Sequence, residues 1–141
     1  MDGTEQAFKP ARRNGPLLNR SKAFAIRIVQ LCRVLSEQRK EFVLSRQILK
    51  SGTSIGANLR ESCGAQSTAD FVSKQAIALK ESYETEFWLE LLVETNYIAK
   101  SDFNILSSEL SRIIAMLTSS ILKNKAKLAG QSGAPPQPLT L

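Results

Sequence analysis

From about residue 20 to about residue 129 the apolar positions recur at steps of three and four, and no stretch alternates strictly over the length of a strand. That period predicts helices and no sheet. The first helix, about 20 to 38, sets Phe24, Ile28, Leu31, Cys32 and Leu35 on one face. The second, about 42 to 64, repeats Ile48, Gly52, Ile55, Leu59 and Ser62, a narrow seam containing small residues. Gly52 and Gly56 each cost roughly 1 kcal/mol relative to Ala inside a helix, so close approach of a neighbouring backbone is expected there. Gly64 suits the end of that helix, and Ser67-Thr68-Ala69-Asp70 reads as a capping box opening the next. The third helix, about 68 to 96, carries apolar side chains on more than one face. Such a helix is buried on several sides, which a lone chain of this size can hardly arrange. Phe71, Tyr83, Phe87, Trp88, Leu91 and Leu92 are therefore expected in the core or in an oligomer contact. After a turn bracketed by Asn96 and Ser101-Asp102, the series Phe103, Leu106, Leu110, Ile113, Leu117, Ile121 and Leu128 marks a fourth helix about 42 Å long.

Four long helices joined by short loops make an all-α, up-and-down antiparallel four-helix bundle over residues 20–129. Residues 1–19, with Gly3, Pro10, Gly15 and Pro16, read as a basic, disordered N-terminal tail. Residues 130–141, running Gly-Gln-Ser-Gly-Ala-Pro-Pro-Gln-Pro, read as a second disordered tail. At 141 residues a single folded domain is expected, without a second.

Composition changes the picture mainly through what is missing. The chain has no histidine, which removes Ser-His-Asp triads and His-ligated metal sites. Cys32 and Cys63 are too few for a thiolate zinc site and lie within apolar helical patterns, so both read as small buried hydrophobes. Glu61, Glu81 and Glu84 could meet across the second and third helices, but a di-iron bundle wants a Glu-x-x-His on two helices. A structural network joining Asn58 and Glu61 with Lys80 and Glu84 is the expectation instead. Gly52-Thr53-Ser54-Ile55-Gly56 lacks the Lys of a phosphate-binding P-loop. No metal, cofactor or enzymatic activity is expected. No apolar run approaches the ~20 residues of a membrane span and the first residues hold no signal-peptide core, so a cytoplasmic protein without a membrane partner is expected.

Charge is unevenly spread. The chain carries 19 basic and 13 acidic residues, net +6. Residues 1–22 hold five positive and two negative charges, 23–66 seven and three, 67–101 three and six, and 102–141 four and two. The third helix alone is acidic, and its Glu86, Glu90 and Glu94, four apart, form a like-charge ladder that should be faced by arginines of the first or second helix, from this subunit or a neighbour. Elsewhere the positive charge has two readings, a solubilising surface or the footprint of phosphate binding, and assembly of several copies around an axis would favour the second. Its candidate residues are Arg12, Arg13, Arg20, Lys22, Arg27, Arg33, Arg39, Lys40, Arg46, Lys50, Lys123, Lys125 and Lys127.

The stretch Ser54-Ile55-Gly56-Ala57-Asn58-Leu59-Arg60-Glu61-Ser62, with Ala65-Gln66-Ser67 and Asp70-Phe71, resembles the four helix bundle protein family, whose members include proteins encoded in intervening sequences of bacterial 23S ribosomal RNA genes. The likeness continues through Lys74, Ala78-Leu79-Lys80-Glu81, Glu84-Thr85-Glu86 and Trp88-Leu89-Glu90-Leu91-Leu92, and spans about residues 23 to 120. It implies a left-handed bundle assembling as a homopentamer, which would cover the extra apolar surface of the third helix. A related branch, the accessory variability determinant proteins, forms basic pentamers that bind nucleic acid and partner the reverse transcriptase of diversity-generating retroelements. Two functions are therefore expected: a non-enzymatic pentamer binding RNA or DNA through a basic surface, or an accessory scaffold for a reverse transcriptase and its template RNA. The likeness transfers no catalytic residue.

Overall fold

The computed structural model describes residues 8, 15–132 and 138. Four helices, α1 (Pro16–Glu37), α2 (Leu44–Ser62), α3 (Thr68–Glu94) and α4 (Lys100–Ser132), account for the described chain, with no strand among the described residues. Each helix packs against its two neighbours around the bundle: α1 on α2 and α4, and α3 on α2 and α4. The α1/α4 seam is the slimmest of the four contacts.

The apolar seams of three helices lie where their period puts them. Phe24, Ile28, Cys32 and Leu35 of α1 are buried, as are Ile48, Ile55 and Leu59 of α2 with Gly52 and Ser62 between them. In α4, Leu106, Leu110, Ile113, Leu117 and Ile121 face the core. The α1/α2 approach is tight at Gly52, against a side chain rather than the backbone expected, and ordinary at Gly56. A Cβ on Gly52 would meet two side-chain carbons of Ile28 at 3.0 Å, and one on Gly56 would lie 3.5 Å from the Ser21 carbonyl oxygen.

Two boundaries differ most from expectation. Helix α1 begins at Pro16 rather than near residue 20, because Gly15 serves as N-cap and Pro16 takes the first helical position, where a missing N–H costs nothing. Leu17 and Leu18 then pack on the core. Helix α4 runs past residue 129 to Ser132. Apart from Phe8 and Pro138, the remainder of both expected tails lies outside the described residues. The span expectation also needs correction: α4 is long and apolar enough, by length and composition, to cross a membrane. Ser, Thr and Asn interrupt its apolar residues, so no unbroken run betrays it, yet few charges fall in its middle. Here its apolar seam packs into the bundle.

The loops have identifiable stops. Asn96 adopts φ 66° and closes α3 in a Schellman turn, with Tyr97 N–H donating to the Leu92 carbonyl at 2.9 Å and Asn96 N–H to Val93 at 3.2 Å. Ser67 caps α3, its hydroxyl accepting from Asp70 N–H at 3.0 Å, while the Asp70 carboxylate accepts from Gln66 N–H at 3.2 Å. Between α1 and α2, Glu41 turns its carboxylate onto the start of α2 and accepts from the N–H groups of Val43, Leu44 and Ser45 at 3.0, 2.9 and 2.7 Å.

Helix α3 departs most from its pattern. Its inward seam is Val72, Gln75, Ala78, Ser82, Thr85, Leu89 and Leu92, largely small or polar. Thr85 Oγ1 lies 2.9 Å from Ser51 Oγ across the α2/α3 contact, and Ser120 Oγ donates to Gln75 Oε1 at 2.9 Å across α3/α4. Of the expected packing residues only Leu92 is fully buried. Trp88 and Leu91 are half-buried, Trp88 packing against the core, and Phe71 is half-buried with its ring 6.3 Å from that of Phe8. Tyr83 and Phe87 stand 47% and 51% exposed, with Ile77 at 39% on the same helix.

Candidate nucleic-acid interface

Antiparallel packing brings the start of α1, the end of α2, the start of α3 and the end of α4 to one end of the bundle, and the two turns α1–α2 and α3–α4 to the other. Cross-helix contacts fix the register: Gly56 of α2 lies by Ser21 of α1, Glu61 of α2 bonds Lys74 of α3, Gln75 of α3 bonds Ser120 of α4, and Arg27 of α1 pairs with Glu109 of α4.

Against this frame the proposed phosphate ligands separate. Arg20, Lys22 and Arg33 on α1, Arg46 and Lys50 on α2, and Lys123, Lys125 and Lys127 on α4 are all exposed. Arg27 is exposed too, but its Nε is 3.1 Å from Glu109 Oε1, so its charge is already matched. Arg39 is tied into the fold: its Nη2 donates to the Asn96 carbonyl at 3.1 Å, and its guanidinium lies 5.2 Å from the centre of the Tyr97 ring. It clamps the two turns together. Lys40 holds φ 54° at the α1–α2 turn. Arg12 and Arg13 lie outside the described residues. Arg60, exposed in the last turn of α2, escaped the sequence reading although it stands inside the Ser54–Ser62 run.

The expected polar network does not form. Asn58 Nδ2 donates to Ser54 O of its own helix at 2.8 Å, and Glu61 takes Lys74 at 3.2 Å rather than Lys80. Lys80 and Glu84 are exposed. The helix register is the reason: with Lys74 level with Glu61, Lys80 lies nearly two turns further along α3. Glu81 instead stands beside Glu84; burial first, then the neighbouring carboxylate, pushes its pKa up, with Lys50 and Lys80 opposing. Among the described residues no three Cys, Asp or Glu side chains gather in a way that could hold a metal ion. Cys32 is buried, its Sγ donating to Ser45 O at 3.2 Å, and burial with the Glu41 charge pushes the thiol up to about 11. Cys63 is only half-buried, at the α2 C-terminus.

The Glu86, Glu90, Glu94 ladder is not paired with α1 or α2 of the same chain, since the ion pairs among the described residues are Arg27–Glu109 and Lys74–Glu61. The ladder shares α3 with exposed Tyr83 and Phe87. One side of the chain thus offers carboxylates and aromatic rings together.

Residues 14–119 match the family described as 23S rRNA-intervening sequence protein. A crystal structure from Bacteroides thetaiotaomicron VPI-5482, described as a protein with unknown function from the S23 ribosomal protein family, is 50% identical to this chain, with a TM-score of 0.74 over 74% of this chain and 97% of that one. No curated protein matches.

Proposed function

This chain belongs to the 23S rRNA-intervening sequence protein family, and from that premise we propose that it is a non-enzymatic, homopentameric protein that binds RNA or DNA through its basic surface. The observation that carries the proposal is the division of charge by helix: α3 is acidic, while α1, α2 and the end of α4 expose arginines and lysines. A chain repeated around a ring multiplies that surface, and phosphate contacts then give sequence-tolerant, salt-sensitive binding. Support for assembly comes from α3, where Ile77, Tyr83 and Phe87 expose a third to a half of their surface beside unpaired carboxylates. Apolar area of that kind next to charge suits a neighbouring copy presenting arginines.

Anisotropy titration of the purified protein against structured RNA, single-stranded RNA and duplex DNA at two salt concentrations, with mass by light scattering in the same buffers, tests both parts. The expected result is an oligomer whose affinity falls steeply with salt. A monomer, or an oligomer that binds no polynucleotide at low salt, overturns it. An oligomer that takes up RNA only together with a reverse transcriptase points to the scaffold role.

A further inference from the structure

We infer that nucleic acid is gripped at one end of the bundle, the end carrying the start of α1 and the end of α4, and not along the sides of α1 and α2. The inference rests on the proposed nucleic-acid role and names the part of the surface that performs it.

The turn end is balanced. Arg33, Arg39, Lys40, Arg46 and Lys100 are met there by Glu37, Glu41, Glu90, Glu94 and Asp102, five charges of each sign within about the last turn and a half of each helix. Glu41 is a charged acceptor of three backbone N–H groups and Arg39 is clamped to Asn96 and Tyr97. Mid-bundle, Arg27 is matched by Glu109, and Lys50 faces Glu81. A phosphate chain laid along the sides therefore meets alternating sign.

The other end is different. Arg20 and Lys22 lie in the first two turns of α1, Arg60 in the last turn of α2, and Lys123, Lys125 and Lys127 on the last part of α4, all exposed. The carboxylates nearby among the described residues are Glu61, bonded to Lys74, and Asp70, which accepts from Gln66 N–H at the cap of α3. Six cations thus face solvent with their neighbouring acids already engaged. The Arg27–Glu109 register puts Pro16 level with about residue 120 of α4, so Lys123, Lys125 and Lys127 stand on helix that continues beyond α1. The Gln75–Ser120 bond sets the same stretch beside the first turns of α3, so these exposed lysines line one flank of the end and stay hydrated until phosphate displaces counterions, as counterion-release binding requires. At a Debye length of about 8 Å, cations one to two turns apart reinforce one another, whereas the balanced end cancels within the same distance. Cyclic assembly about an axis along the helices would set the equivalent ends side by side on one rim.

The test uses the full chain and labelled 30-nucleotide single-stranded RNA and DNA of one sequence, over a salt series. Two variants are compared: Lys123→Gln/Lys125→Gln/Lys127→Gln at the proposed end, and Arg33→Gln/Arg46→Gln at the balanced turn end of α1 and α2, each checked for unchanged helix content and mass. The expected result is at least a tenfold loss for the lysine variant with a salt slope lower by about three, against a smaller loss for the arginine pair. Equal loss with RNA and DNA assigns the grip to the phosphodiester backbone. A larger loss from the arginine pair overturns the end-on site while leaving nucleic-acid binding in place. Absence of binding by the unaltered protein removes the functional reading and the site together.

Discussion

Gly52 and Gly56 are chemically identical, one turn apart on α2, and respond oppositely to a methyl group. At Gly56 the added Cβ makes ordinary contact with the Ser21 backbone, so Gly56→Ala should stabilise the fold by about 0.5–1 kcal/mol through helix propensity alone. At Gly52 it would press on Ile28, a fully buried, χ1-stiff side chain, and overpacking of about 1–3 kcal/mol outweighs the gain. Urea unfolding of the two variants reads the opposite signs. Glu41 supplies the pH dependence. Its burial disfavours the charged form, but the hydrogen bonds from Leu44, Ser45 and Val43 together win and hold its pKa below the usual carboxylate range. A lowered folded-state value stabilises the protein above the unfolded value near 4.5 and is lost as pH falls through the folded one. Glu41→Gln should therefore cost about 1 kcal/mol at neutral pH, as a lost helix cap does, and flatten the acid limb of the stability curve. Glu81, with a raised pKa, works the other way: Glu81→Gln should stabilise at neutral pH, an effect that fades as acid protonates the native residue.

At the scale of the element, α3 shows how a helix can be apolar outside and small inside. Ala78, Ser82 and Thr85 let α2 and α4 come close, and the hydroxyls this buries are bonded: Thr85 reaches the Glu81 carbonyl at 2.7 Å and the Ser51 hydroxyl at 2.9 Å. Removing one partner strands the other, so Thr85→Val should cost about 1–2 kcal/mol, and much less in a Ser51→Ala background; a double-mutant cycle measures the coupling. The indole N–H of Trp88 is a counterexample, a buried side-chain donor with no partner among the described residues. This element also marks the limit of legibility. The seams of α1, α2 and α4 were readable because their apolar residues occupy a single stripe, but on α3 two large aromatic side chains, Tyr83 and Phe87, lie away from the seam. A period reports a face and not the direction in which that face points.

For the whole molecule, the exposed rings of α3 and the unpaired ladder beside them make a single expectation. Tyr83→Glu/Phe87→Glu should lower the mass measured by light scattering towards that of one chain while helix content stays unchanged, because neither ring contributes to the buried core. Unchanged mass would place the subunit contact elsewhere.

The sequence alone determined four helices, their caps at Ser67 and Asn96, the tight contact at Gly52, though made by a side chain rather than backbone, and the inner stripe of three helices, since these rest on propensity, capping and period within one segment. It also determined the chain's excess of positive charge. Only the tertiary structure decided that Arg27 and Arg39 are taken up by Glu109 and by the Asn96–Tyr97 turn, that Glu61 takes Lys74, and that the uncompensated cations collect at one end. Those outcomes depend on axial register between helices far apart in sequence, and register follows from how side chains interlock across a contact, which no periodicity within one helix contains.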